Sequence, residues 1–186
     1  MAQLIYIANV SLDGYIEDAH GNFNWTAPSD EVLAFITDLV RPIGTYLYGR
    51  RIYETMAVWE TDPALAAQSE LMTEFADVWK AADKIVYSTA MRDVATTRTQ
   101  LERDFDPEAI RSLKSSAATD LTIAGASLAA HAFEADLVDE CQLLVYPVIV
   151  GAGKPALPRD MRIDLELLDE RRFSNGVVCL RYRAVS

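Results

Sequence analysis

Residues 121–158 read LTIAGASLAAHAFEADLVDECQLLVYPVIVGAGKPALP, and the changes of rhythm inside this stretch set the architecture. The opening LTIA is short, apolar and partly β-branched, which suits a buried strand. Gly125 interrupts it, and the small and apolar residues of 127–135 then follow a helical pattern. A second apolar run occupies 140–145, before Gly151-Ala152-Gly153 bends the chain. Strand, glycine, helix and strand in this order form one crossover unit, and such units belong to largely parallel sheets.

The same alternation continues toward the amino terminus, with strand-like runs at 4–10, 45–48 and 84–88. Ser29 can cap a helix reaching about residue 40, bounded by Pro28 and Pro42. A short helix is expected from Arg50. A longer one spans 69–82, with Leu71, Phe75, Val78 and Trp79 at core spacing. Pro107 opens a further helix ending near 116. Toward the carboxy terminus the rhythm changes: runs 162–173 and 177–185 flank Ser174-Asn175-Gly176, and Asn-Gly between strands signals a hairpin. The expected fold is α/β, with a mixed, mostly parallel central sheet flanked by helices and ending in an antiparallel hairpin. Residues 1–186 read as one domain.

Composition narrows the function classes. With 51% hydrophobic and 24% charged residues the chain is of ordinary globular type. A formal net charge of -11 without any long basic cluster argues against a nucleic-acid partner, since phosphate backbones need a basic face. An anionic ligand would need a local cationic site instead. The adjacent arginine pairs are Arg50-Arg51, after a glycine, and Arg171-Arg172, which reads as a solvated strand edge. Cys141 and Cys179 lie in apolar runs without metal or redox spacing, as buried reduced thiols do, and no metal site is expected. The amino terminus lacks a leader pattern and no run is long enough to span a membrane, so a cytoplasmic location is expected.

Four segments place glycine, hydroxyl or acidic residues just past a strand, where open α/β sheets bind ligands. Ser11-Leu12-Asp13-Gly14-Tyr15 opens a loop containing Gly21 and Trp25. Tyr48-Gly49-Arg50-Arg51 delivers a glycine and two cations to a helix start, a setting that favours phosphate. Ser88-Thr89 could hold another phosphate or cap the next turn. Ala124-Gly125-Ala126-Ser127-Leu128 would let a pyrophosphate approach the backbone, although it contains no G-x-G-x-x-G pattern.

The order of these segments resembles the dihydrofolate reductase superfamily, most closely its branch typified by the carboxy-terminal reductase domain of bacterial riboflavin biosynthesis (RibD). IANVSLDGYIEDAHGNFNW is similar to the first strand and active-site loop, YGRRIYE to the strand-to-helix phosphate site and KIVYSTA to the strand on the adenosine side. The stretch at 121–158 is similar to the family's glycine turn, helix and following strand, with Ala124 where a glycine is common. The resemblance implies a dihydrofolate-reductase-like fold, a homodimer and NADPH as cofactor. The nicotinamide would lie against Ala8 and the loop at Asp13, Gly14 and Tyr15. Gly49, Arg50 and Arg51 would meet phosphates, Ser88 and Thr89 the 2′-phosphate region, and Ala124, Gly125, Ala126, Ser127 and Leu128 the pyrophosphate.

Hydride transfer requires positioning, exclusion of water and a proton source. Asp13 and Asp30 are the candidate catalytic acids, and they would line the substrate together with Trp25 and Tyr53. Trp25 to Asp30 resembles the W-x-x-P-x-D segment carrying the pterin-binding acid of true dihydrofolate reductases. The expected function is NADPH-dependent reduction of a small heterocyclic or carbonyl compound, pterin-like or pyrimidine-like. The alternatives are a true dihydrofolate reductase and a non-catalytic homologue that has lost the cofactor. For Asp13 a turn-forming role, and for Asp30 a helix-dipole role, remain open.

Overall fold

A computed structural model describes residues 1–185. Ten strands run β1 Leu4–Ser11, β2 Tyr15–Asp18, β3 Thr45–Gly49, β4 Asp83–Tyr87, β5 Thr99–Glu102, β6 Leu121–Ala124, β7 Glu140–Tyr146, β8 Gly153–Pro155, β9 Asp164–Arg172 and β10 Val178–Val185. The helices are α1 Asp30–Val40, α2 Arg50–Met56, α3 Val58–Thr61, α4 Pro63–Ala66, α5 Glu70–Ala81, α6 Pro107–Ser116 and α7 Ala126–Glu134. Eight strands form one sheet in the order β5-β4-β3-β6-β1-β7-β10-β9, while β2 and β8 form a separate ribbon. Every pairing from β5 to β7 is parallel, and β10 runs antiparallel to both its neighbours. This is the dihydrofolate-reductase-like α/β arrangement expected from the sequence.

The two faces follow from strand alternation. Leu4, Tyr6, Leu47, Leu121 and Ile123 point to one side, where they bury Ile110 of α6 and Leu128, Ala129, Ala132 and Phe133 of α7. Ile5, Tyr46, Tyr48 and Val86 point to the other, against Leu33 of α1, Tyr53 of α2 and Phe75 and Trp79 of α5. Ser29 caps α1 by accepting from the Val32 amide, and Ser69 caps α5 by accepting from Met72. Of the four apolar residues expected in the α5 core, Phe75 and Trp79 are buried but Leu71 and Val78 are only half-buried, lining a groove at the opposite end of the sheet from the site below.

The carboxy-terminal hairpin forms as the Asn-Gly signal implies: Gly176 adopts φ 88° and Phe173 donates to Val177 across the turn. Arg171 is exposed on the edge strand β9, as expected, and its guanidinium lies over the rings of Phe35 and Phe173 at 4.9 and 5.0 Å. Cys141 and Cys179 are free and buried, and burial pushes both thiols up to about 11, which leaves them protonated and inert at neutral pH. Strands β2, β5 and β8 have no clear signal in the sequence because each is only three or four residues long. Among the described residues no helix is long and apolar enough to cross a membrane.

Candidate active site

The carboxyl ends of five adjacent strands lie along one rim. Register places Glu102 of β5 beside Tyr87 of β4, Tyr87 beside Gly49 of β3, and Tyr48 beside Ala124 of β6. Strand β1 pairs with β6 only as far as Tyr6 and Ile123, so Ala8 and Asn9 run past the end of β6. Arg103, Ser88, Gly49, Gly125 and Ala8 therefore follow one another along the rim. Neighbouring strands sit about 4.8 Å apart, so the row spans roughly 19 Å, the scale of an extended dinucleotide.

Two glycines form the centre of this row. Gly125, at φ 99° and ψ 113°, precedes the first residue of α7 without any side-chain cap. A β-carbon there would stand 3.7 Å from the Gly49 α-carbon, and one on Gly49 would stand 3.9 Å from the Leu128 β-carbon. The two backbones thus approach across a cradle that side chains would fill. Ala124 stays in the extended strand, because the non-glycine residues with positive φ among those described are Arg98 and Asp136. The turn falls on Gly125 alone, so Ala124 is not required to adopt a positive φ. Behind it, the amides of Ala126, Ser127 and Leu128 open α7 ahead of its first intrahelical bond, from Ala129 to the Gly125 carbonyl. Ser127 is exposed, while Ala126 and Leu128 are buried.

The cations are held unequally. Arg50 is exposed and 3.8 Å from Glu54, a loose pairing within its own helix. Arg51 bonds Glu17 at 2.9 Å through Nη1, which ties β2 to α2. Glu17, Arg51, Asp18, His20, Gly21 and Lys154 border an open groove of about 680 Å³. Arg103 donates to the carbonyls of Ser88 and Met91. Ser88 itself accepts from the amides of Ala90 and Met91, so its oxygen caps this turn, whereas Thr89 is exposed.

Asp13, a candidate acid by sequence, has its carboxylate bonded within the turn. Its carboxylate accepts from the Ser11 hydroxyl at 2.7 Å and from the amides of Gly151 at 2.7 Å and Val150 at 3.2 Å. The Ser11 hydroxyl first, and then these amides, hold its carboxyl below the usual Asp value. An exposed carboxylate held ionised by three donors is a poor proton donor; it fastens the β1–β2 turn to the loop after β7. Around it, Gly14 at φ 93° makes the turn and accepts from Ala156, and Tyr15 donates its amide to Ser11. Asp13→Ala is expected to raise amide exchange at Val150 and Gly151 about tenfold with the global unfolding midpoint little changed. Because the folded pKa is depressed, the fastening is complete above about pH 3.9 and is lost as pH falls through the lower folded value.

Tyr53 also departs from its expected place at the substrate. It is buried, and its hydroxyl bonds Thr96 at 2.9 Å and accepts from the Ala95 amide, anchoring the loop after β4. Trp25 packs edge-on against Tyr146, 5.9 Å between ring centres, and its buried Nε1 has no partner among the described residues. Asp30 is exposed at the start of α1, on the helix face shared by Leu33 and Thr37 and one turn nearer the strand ends. Asp139 and Glu140 are structural: Asp139 holds Lys114 and the Leu4 amide, and Glu140 is gripped twice by Arg181. His131 stacks on Phe105, and His20 is exposed. Arg103 carries no clear sequence signal, because the strand that delivers it, TQLE, is short and polar.

Comparison with known proteins places these features in context. The family described as the RibD C-terminal domain matches residues 2–179. The chain is similar to YyaP, an uncharacterized protein of Bacillus subtilis (strain 168), at 32% identity, with 93% of this chain and 90% of that protein covered. In structure it is similar to a protein of Shewanella sp. PV-4 described under riboflavin biosynthesis, with TM-score 0.77, 19% identity and 100% of both chains covered. It is also similar to dihydrofolate reductase from Enterococcus faecalis complexed with NADP(H) and RAB-propyl, with TM-score 0.66, 14% identity and coverage of 99% and 97%.

Proposed function

The chain belongs to the RibD C-terminal domain family, and from that premise we propose that it is an NADPH-dependent reductase of a small heterocyclic or carbonyl compound, pterin-like or pyrimidine-like. The observation that carries this reading is the single rim on which Ser88, Gly49, Gly125 and Ala8 succeed one another, with Gly125 and Gly49 leaving their backbones open to a ligand. The residues present fit a dinucleotide. Amides at the start of α7 and the Arg50 guanidinium would hold the pyrophosphate, while Thr89 and the turn capped by Ser88 would adjoin the adenosine ribose. Ala8, Gly14 and Tyr15 would border the nicotinamide. When bound, that ring supplies the hydride.

The protein's own contribution is positioning and exclusion of water. Asp13 keeps the β1–β2 turn in place beside the ring, and the Glu17–Arg51 pair keeps β2 against α2. Trp25 and Asp30 border the space on the α1 side, and Asp30 is the remaining candidate acid for delivering a proton to the reduced substrate. Titrating NADPH into the purified protein, read by cofactor fluorescence, is expected to show saturable binding. No binding at millimolar cofactor would remove the reductase reading. The buried, partnerless Nε1 of Trp25, five residues before Asp30 in the sequence, favours dihydrofolate reduction as a second reading, which predicts NADPH oxidation when dihydrofolate is added.

The partners of this reading are a small-molecule substrate and a second copy of the chain, in the cytoplasm. All nine residues of β9 are exposed, and Leu165 and Leu167 share a face with the half-buried Leu143, Leu180 and Tyr182. An uncovered apolar sheet face of this kind suits a symmetric dimer. Leu167→Lys is expected to shift the sedimenting species from dimer to monomer while the circular dichroism spectrum is retained.

A further inference from the structure

We infer that Asn175, at the tip of the β9–β10 hairpin, is a site of spontaneous covalent modification, in which the Gly176 backbone nitrogen displaces the side-chain amide of Asn175. This chemistry does not depend on the reductase reading. The Gly176 nitrogen, on losing its proton, attacks Asn175 Cγ: a nitrogen–carbon bond forms, the Cγ–Nδ2 bond breaks, and ammonia leaves with that proton. Water then opens the five-membered imide at either carbonyl. The product is aspartate or, where the main chain comes to run through the side chain, isoaspartate. Water is the sole co-reactant, and nothing is oxidised or reduced.

Sequence supplies the first ground. Asn9, Asn22 and Asn24 precede Val10, Phe23 and Trp25, whose side chains shield the attacking nitrogen, whereas Asn175 precedes a glycine. The turn supplies the second. Ser174, Asn175 and Gly176 are exposed between the buried Phe173 and Val177, so water reaches the imide. The Val177 amide donates to Asn175 Oδ1 at 3.2 Å, which folds the side chain back over the turn and stabilises the charge this oxygen gains as the nitrogen attacks. The Gly176 amide donates to the Phe173 carbonyl at 3.1 Å, and that bond is given up in the attack. Asp13-Gly14 is the contrast within the same chain: Ser11, Val150 and Gly151 keep the Asp13 carboxyl ionised, and a carboxylate resists a nucleophile. The change at Asn175 extends to α1. Ser174 donates its amide and its hydroxyl to Glu31 Oε2 at 2.9 and 2.6 Å, and Glu31 stands in the first turn of α1 next to Asp30. A new carboxylate one residue from Ser174 repels Glu31, and the additional backbone carbon of isoaspartate draws Ser174 away from it.

Wild type, Asn175→Gln and Asn175→Asp are held folded in warm, mildly alkaline buffer beside wild-type chain unfolded in urea, until the unfolded chain has converted at Asn175. Tryptic peptides are then read by mass spectrometry with an isoaspartate-specific methyl label. In folded wild type the peptide 173–181 is expected to convert at least tenfold faster than those holding Asn9, Asn22 and Asn24, with isoaspartate as the main product and none at Asp13. Asn175→Gln should not convert, since its longer side chain would have to close a six-membered ring. Amide exchange at Ser174 should rise about tenfold in the converted protein and less in Asn175→Asp, which gains the charge and keeps the ordinary backbone. Incubated Asn175→Gln should show no rise. An intact Asn175 in the folded protein, conversion spread evenly over the four asparagines, or as much isoaspartate at Asp13 as at Asn175 would each overturn the site. Unchanged exchange at Ser174 after conversion would overturn its link to α1.

Discussion

Gly125→Val is expected to lower NADPH affinity by more than tenfold and to cost about 2 kcal/mol of stability, the largest combined effect of any single change at the strand-end rim. The backbone there stands at φ 99° and ψ 113°, a region that residues with a β-carbon rarely enter. A β-carbon alone would find ordinary contact distances, 3.5 Å from Ile52 and 3.7 Å from the Gly49 α-carbon, so strain outweighs crowding in the alanine variant. In valine the two additional methyl groups project into the cradle between the glycines and obstruct the approach to the amides of α7. For a chain of this size the stability loss corresponds to a fall in melting temperature of roughly 4–8 °C. Calorimetry and cofactor titration on the same sample measure both effects. Ala124→Gly is the matched comparison: its backbone is already extended, so added freedom at that position is expected to leave NADPH affinity nearly unchanged. Retention of wild-type affinity in Gly125→Val would mean that the dinucleotide does not cross this turn.

Asp139→Ala is expected to destabilise the fold by about 3 kcal/mol without direct effect on ligand contacts. Lys114 is buried on α6, and its ammonium reaches the Asp139 carboxylate at 2.5 Å and the Leu137 carbonyl at 2.8 Å. The same carboxylate oxygen accepts from the Leu4 amide at 2.6 Å, so one side chain joins α6 to the start of β1 and the start of β7. Truncation leaves an ammonium with a single neutral partner and an amide with none. Removing one partner from a buried pair costs about 3–5 kcal/mol, and the 38% exposure of Asp139, which lets water substitute in part, sets the expectation at the lower end. Urea denaturation followed by circular dichroism provides the measurement. Lys114→Met should cost less, because the carboxylate it strands can be hydrated. A loss below about 1 kcal/mol in Asp139→Ala would show that Lys114 finds another partner.

Two aspartates, Asp13 and Asp139, illustrate what a sequence can and cannot disclose. Both follow apolar residues, and nothing local to either names its partner. For Asp139 the partner is Lys114 on α6. For Asp13 the decisive partners are the amides of Val150 and Gly151, which are distant in sequence and reach it only because β7 lies beside β1. Tyr53 is a similar case, since its hydroxyl is taken up by a loop 42 and 43 residues away. Lys84 opens a strand-like run in the sequence, yet it is buried over the Trp79 ring at 4.3 Å, a placement that no local pattern encodes.

What the amino-acid order determined by itself was the local alphabet: strands where β-branched residues cluster, helices where Ser29, Ser69 and Pro107 mark their starts, a hairpin at Asn175-Gly176 and a turn that requires Gly125. Those signals depend on interactions within a few residues, so they survive without knowledge of the fold. Which cations remain free, which carboxylates are already bonded, and which five strand ends line one rim were decided only by the tertiary structure. Hydrogen bonds and ion pairs act over a few ångströms, and strand pairing brings residues more than a hundred positions apart within that range.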